Sequence, residues 1–259
     1  MKKIVIIGAG AMGSAFAVPC LDNKNDVTIV GTHLEDNLIE SINSNNHIHP
    51  ALKTQLPKEI KFERFEKLQN ILKQNIDIIV CGVSSVGIEW FVQQISKNYK
   101  KKTPIVLLTK GLSIVDNELS TLSDKIKNLL EKEGHSEINI SAIKGPCLAA
   151  GLANKMRTGT VIANKNLKES QFLKETISTN YYSTEISEDI NGVELSGAIK
   201  NIYSMLIGAS EGLSNPKASK DIQSKYFLNT AASLIHRSIS EMVEFVSNYG
   251  GKAETVYGL

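Results

Sequence analysis

Apolar and polar positions change period several times along this chain. Ile4–Ile7 is an unbroken apolar run containing three isoleucines. It predicts a strand buried on both faces, as a central strand of a parallel sheet must be. Shorter or similar runs recur at Val27–Val30, Ile60–Phe62, Asp77–Val83, Pro104–Leu108, Ile138–Ile143, Thr158–Ala163 and Tyr181–Ile186. Helical spacing fills the intervals. Ala15, Phe16, Val18 and Leu21 mark the first such stretch, and Leu34–Ile42, a segment ending near Lys73, Val86–Asn98, Glu118–Lys132 and Lys168–Ser178 follow. Asn43–Pro57 is polar and broken by Pro50 and Pro57, so it predicts a loop. Strands alternating with helices predict an α/β fold, a doubly wound and mostly parallel sheet.

From Ser187 onward the strand pattern stops. Leu195, Ile199, Ile202, Leu206, Ala209 and Leu213 recur at spacings of three and four, which predicts one buried helical stripe. Leu228, Ala232, Ile235, Ile239, Met242 and Val246 form a second. The chain therefore divides into residues 1–187, an α/β domain, and 188–259, an all-helical domain. Beside the first stripe lies Gly197, Lys200, Ser204, Gly208: small residues around one long cation. A lysine in that setting is expected to point into a cleft rather than to solvent.

The composition narrows the class. Of 259 residues 42% are hydrophobic and 22% charged, ordinary for a globular protein. The net charge of +2 points to no nucleic-acid partner. No apolar run is long enough for membrane insertion, and the first strand starts too early for a signal peptide. Cys20, Cys81 and Cys147 are scattered and odd in number. They predict no disulfide framework and a cytoplasmic location. His47 and His49, at i, i+2 in a loop, lack an acid or cysteine to complete a ligand set. They are expected to be solvated, and no metal is expected.

The strongest local signal is Gly8-Ala9-Gly10-Ala11-Met12-Gly13, a G-x-G-x-x-G between a strand and a helix. Gly8 allows the tight turn, Gly10 lets the backbone approach a pyrophosphate, and Gly13 lets the helix pack close to the strand. The free N–H groups at the helix start then face the phosphates. This predicts a Rossmann-type dinucleotide site with NAD or NADP as cofactor. The second strand ends at Gly31-Thr32-His33 with neither an acid nor an arginine at its tip, and Glu35 and Asp36 are assigned to the next helix. That leaves the choice of cofactor open with a mild lean to NADP. Lys110, in Thr109-Lys110-Gly111-Leu112 at a strand exit, suits an anion or a carbonyl; a lysine snorkelling from the sheet edge fits the same position. Gly145, Cys147 and Ala149 form a further small-residue turn at the same edge, where Cys147 has no identifiable partner base.

GVELSGAIKNIY at Gly192–Tyr203 resembles the NAD(P)-dependent glycerol-3-phosphate dehydrogenases. The resemblance extends through the glycine loop, Thr109–Leu112, Gly145–Ala149 and Asn229–Met242, in the family's order and spacing. It implies reduction of dihydroxyacetone phosphate to sn-glycerol 3-phosphate, feeding glycerophospholipid synthesis. It further implies that Lys200 is catalytic and that Lys110 contacts both cofactor and substrate. Gly145, Cys147 and Asn201 would line the substrate site. Ala11, Met12, Thr32 and Ala149 would touch the dinucleotide. The implied partner is a small phosphorylated molecule, and a homodimer is left open.

Some positions depart from the family. Cys147 stands where Ser or Thr is usual, Ala231 where a basic residue is common, and Asn215–Gln223 is longer than the usual turn. The family continues beyond a segment like Val256–Leu259 with a Gly-x-Gly-Asp turn and an Arg-Asn pair. The helical part is accordingly expected to look incomplete, to expose an apolar face and to associate. These 259 residues are expected to bind dinucleotide and to turn over poorly. The alternative reading is a catalytically impaired dinucleotide-binding protein. For catalysis a lysine titrating near ~10.4 must be brought down. Partial burial and a second cation, Lys110, are the expected causes.

Overall fold

The structure, a computed structural model, describes residues 1–115, 117–214 and 227–258. Its elements run in chain order β1 (Lys3–Ile7), α1 (Ala11–Asp22), β2 (Asp26–Val30), α2 (Asp36–Ser44), β3 (Ile48–His49), β4 (Thr54–Gln55), β5 (Lys61–Glu63), α3 (Leu68–Leu72), β6 (Ile78–Cys81) and α4 (Ile88–Ser96). They continue β7 (Ile105–Leu107), β8 (Leu112–Val115), β9 (Glu118–Thr121), α5 (Leu122–Lys132), β10 (Ile140–Lys144), α6 (Ala149–Ala153), β11 (Thr158–Ala163), α7 (Leu167–Ile177) and β12 (Tyr182–Ser187). Three helices close the described chain: α8 (Ile190–Leu213), α9 (Phe227–Asn248) and α10 (Ala253–Tyr257).

One eight-stranded sheet has the order β12-β11-β10-β7-β6-β1-β2-β5. All its pairings are parallel except β10 with β11. From β5 to β10 this is the doubly wound arrangement, and its order reverses between β1 and β6. Successive residues of β1 alternate between two cores. Ile4 and Ile6 pack with α1, whereas Val5 and Ile7 join the core containing Phe91 of α4 and Ile126 of α5. All four are essentially inaccessible, as the unbroken apolar run requires.

The helical part differs from its sequence reading. Leu195 is buried and Ile199 half-buried, but Ile202, Leu206 and Leu213 of the same stripe are exposed. On α9, Met242 and Val246 are buried, whereas Leu228, Ile235 and Ile239 are exposed. Helical spacing identifies an apolar face; it does not identify what covers it. The start of α8 packs on the sheet, where Ile190 and Val193 meet Ala142, Val161 and Ala163.

Glu118–Thr121, expected as the first turn of a helix, is instead β9, the second strand of a hairpin with β8. Thr121 then caps α5, its Oγ1 accepting from Asp124 N at 3.2 Å. Leu112 and Leu119 of this hairpin pack on the cluster around Leu195 and Met242. The loop Asn43–Pro57 contains the small β3–β4 hairpin. Asn215–Gln223, noted above as long, lies outside the described residues.

Candidate active site

Backbone geometry explains the glycine loop. Gly8 has φ +109°, and a Cβ there would come within 2.8 Å of the Gly82 carbonyl carbon, just past the end of neighbouring β6. At Gly13 a Cβ would meet the Gly8 oxygen at 2.6 Å, so its absence lets α1 approach β1. Gly10 is different: nothing lies within 4 Å of its Cβ position. That open space is where a phosphate can approach, and no side chain caps the start of α1 beside it.

Ala9 is held by the protein rather than presented to a ligand. Its N–H donates to Glu35 Oε2 at 3.1 Å. Its carbonyl accepts from Ser14 Oγ at 3.0 Å and lies 2.9 Å from His49 Nε2. His49 is 1% exposed, contrary to the expectation of a solvated loop histidine. Leu52 N donates to its Nδ1 at 3.3 Å, which leaves Nε2 to donate to the Ala9 carbonyl. His49 belongs to β3, whereas His47 packs edge-on to Phe62 with centroids 5.5 Å apart.

A cleft of about 890 Å³ opens along the carboxyl edge from this loop. Gly10, Ala11 and Met12 line one side, and Ala149, at the start of α6, and Cys147 line another. At the β2 end Thr32 and His33 line it with Glu35. Glu35 corrects the reading of that tip as free of acids. Its Oε2 accepts from Thr32 N at 2.8 Å as well as from Ala9 N. The signal was in the sequence: Thr32-His33-Leu34-Glu35 has the spacing of a capping box ahead of α2. Trp90, also overlooked, forms an aromatic corner with His33 at 5.3 Å and Phe65 at 5.6 Å.

Lys110 is exposed and lines the same cleft. Thr109 before it is fixed, its hydroxyl donating to the Val83 carbonyl at 2.6 Å. Lys200 lies half-buried on α8, close enough to Lys110 for the two positive charges to repel each other. Burial is the larger cause that holds the Lys200 ammonium below the usual lysine range, and Lys110 adds to it. Asn201 is exposed beside Lys200. Gly145 has φ +154°, and a Cβ there would fall 2.8 Å from Thr160 Cα, so the turn after β10 needs glycine. Burial pushes the Cys147 thiol up, which suits a lining residue better than a nucleophile.

An open anion site at a helix start, set where the strand order reverses, defines a dinucleotide-binding α/β protein. Comparison with known proteins narrows the class. The family model described as NAD-dependent glycerol-3-phosphate dehydrogenase N-terminus matches residues 3–170, and the corresponding C-terminus model matches 189–259. The NADP(+)-dependent glycerol-3-phosphate dehydrogenase of Archaeoglobus fulgidus is 34% identical over 256 residues, covering 99% of this chain and 72% of that protein. A glycerol-3-phosphate dehydrogenase [NAD(P)+] of Clostridium botulinum is 29% identical, covering 100% and 72%. The crystal structure of glycerol-3-phosphate dehydrogenase from Coxiella burnetii superposes with a TM-score of 0.80 at 26% identity, covering 100% of this chain and 72% of that one. The chain belongs to the NAD-dependent glycerol-3-phosphate dehydrogenase family.

Proposed function

We propose that this protein interconverts dihydroxyacetone phosphate and sn-glycerol 3-phosphate, feeding glycerophospholipid synthesis, with NAD or NADP as cofactor. The observation that carries the reading is a half-buried lysine, Lys200, within electrostatic reach of Lys110, which lines the cleft. The cofactor, when bound, exchanges hydride with the substrate's central carbon. In reduction, the Lys200 ammonium polarises the carbonyl oxygen and transfers its proton to it, leaving a neutral amine. In oxidation, the neutral amine takes the hydroxyl proton back. Lys110 supplies charge to the phosphorylated substrate and faces the cofactor cleft. Gly145, Cys147 and Asn201 are assigned to the substrate side. Gly8–Gly13, Thr32, Lys110 and Ala149 are assigned to the dinucleotide side, with Ala9 acting through the loop it anchors.

The lean to NADP rested on an acid-free strand tip, and Glu35 removes that ground. A carboxylate accepts from a ribose hydroxyl and repels a 2′-phosphate, whereas Thr32 and His33 accommodate either. Both cofactors are therefore proposed. The three cysteines are free and buried, which supports a cytoplasmic location. No helix among the described residues is long and apolar enough to cross a membrane. The exposed Ile202, Met205 and Leu206 of α8 support a homodimer as the assembly. The test is turnover of dihydroxyacetone phosphate with each reduced cofactor. Oxidation of NADH or NADPH dependent on this ketone supports the reading, and dinucleotide binding without turnover contradicts it.

A further inference from the structure

Two buried ionisable groups of opposite charge type, Lys144 and Glu194, lie close enough to influence each other, and the mechanism above does not use them. Lys144, the last residue of β10, is 2% exposed, and Glu194 of α8 is 1% exposed. Such groups are seldom buried without a purpose that offsets the loss of hydration. The Lys144 ammonium donates to the Thr109 carbonyl at 2.6 Å and to the Leu107 carbonyl at 3.2 Å. Pairing of β10 with β7 ends at Ala142 opposite Leu107. Lys144 therefore acts just past the ladder, on the peptide that leads into Lys110. Its stem lies against α8 at Gly197, where a Cβ would meet Lys144 Cβ, Cγ and Cδ at 3.1–3.2 Å. Gly197 is one turn before Lys200. The Glu194 carboxylate accepts from Ser123 N at 3.3 and 3.2 Å, which joins α8 to the start of α5.

We propose that Lys144 is a positioning residue: it holds the Thr109–Lys110 segment against α8 in register with Lys200, with Glu194 as its buried counter-charge. The inference rests on the functional reading of Lys110 and Lys200. A leucine or methionine at position 144 would fill the same space without holding Thr109. Glycine at 197 leaves room for the lysine stem; a Cβ there would press on it and make it shift by a few tenths of an ångström. The small-residue stripe thus has a physical explanation at its first position: it admits a second lysine from below. Lys110 and Lys144 also line one small cavity of about 20 Å³, room for a single water.

The charges around Lys144 set the expected behaviour. Burial brings its ammonium down to about 8, Glu194 and Cys81 oppose that, and Lys110 reinforces it. Glu194 is itself pushed up by burial and brought back by Lys144 and Ser123, with Asp124 adding a smaller upward effect. Removing Lys144 frees the Thr109 carbonyl, so Lys110 drifts from Lys200. Lys200 then loses part of the cationic neighbour that keeps its acidity high.

The test uses Lys144→Met and Glu194→Gln in the full chain. The pH dependence of Lys200 acetylation by acetic anhydride is followed by peptide mass spectrometry, a readout that needs no turnover. Both variants should move the Lys200 midpoint upward, toward an ordinary lysine. A kcat loss of about 10-fold to 100-fold is expected for Lys144→Met, with dinucleotide affinity retained as evidence of an intact glycine loop. If Lys144→Met fails to fold, Glu194→Gln and Gly197→Ala report on the same bracket. A Lys200 midpoint that stays at the parental pH in the folded variants overturns the proposal. Absence of turnover in the parent, with a shifted midpoint in the variants, counts against the proposed reaction and leaves the bracket standing.

Discussion

At the scale of single residues, Lys200 and Gly10 carry the account. Burial and Lys110 both lower the Lys200 proton affinity, so both act to bring it toward working pH. As the donor in ketone reduction it must be charged. The kcat for reduction should be flat at low pH and fall as pH rises through a midpoint below ~10.4, the free-lysine value. The kcat for oxidation should rise through the same region. Rate profiles in the two directions check this, and profiles of the same sign contradict it. Gly10 leaves open space over the start of α1. Gly10→Val should keep the fold and weaken dinucleotide binding at least tenfold, as titration of NADH fluorescence measures. Parental affinity would remove the loop assignment. Gly10 was legible from its spacing, and Lys200 from its small-residue stripe together with the family resemblance. The roles of His49 and of the Glu35 bond to Ala9 were not, because each joins groups more than twenty residues apart; the Glu35 bond to Thr32 N lies within the local capping-box spacing.

At the scale of elements, the strands of the large sheet and its doubly wound class followed from composition and period. Runs buried on both faces leave one reading, and β1 is the clearest. The helices were less legible. Helix α8 shows the limit: its stripe is continuous, yet only Leu195 in it is buried and the far half is exposed. The β8–β9 hairpin was hidden for another reason. Glu118–Thr121 is too short to display a period of two, and helical spacing begins directly after it. The start of α8 depends on Asp189. One carboxylate oxygen accepts from Gly192 N at 2.9 Å, and the other accepts from Lys252 N at 2.8 Å and from the Thr255 hydroxyl. Asp189→Ala removes a helix cap and leaves two further donors unpaired. It should destabilise the fold by about 2 kcal/mol, measured as a shift in urea midpoint. A change within the error of the parent would mean that water replaces these bonds.

At the scale of the whole molecule, one sheet edge gathers the glycine loop, Lys110 and the turn at Gly145, and α8 brings Lys200 to that edge. Lys144 and Glu194 sit at the junction and give it a pH signature. Lys144 is near 8 when folded and near ~10.4 when unfolded, so above pH 8 the unfolded chain binds more protons. Its contribution to stability therefore rises with pH across that window. Cys20 and Cys81, whose thiols burial pushes up, act in the opposite sense above about pH 9. Between pH 7 and pH 9 the parent should gain about 1 kcal/mol relative to Lys144→Met. Urea midpoints of both proteins at the two pH values measure this, and parallel changes contradict it.

The central claim is that Lys200 is the proton donor on a preformed dinucleotide fold. The most direct measurement is kcat for dihydroxyacetone phosphate reduction in parent and Lys200→Ala, with the NADH dissociation constant of each determined alongside. The account predicts a kcat lower by about 10²–10⁴ at an unchanged dissociation constant. A variant that retains near-parental kcat contradicts it.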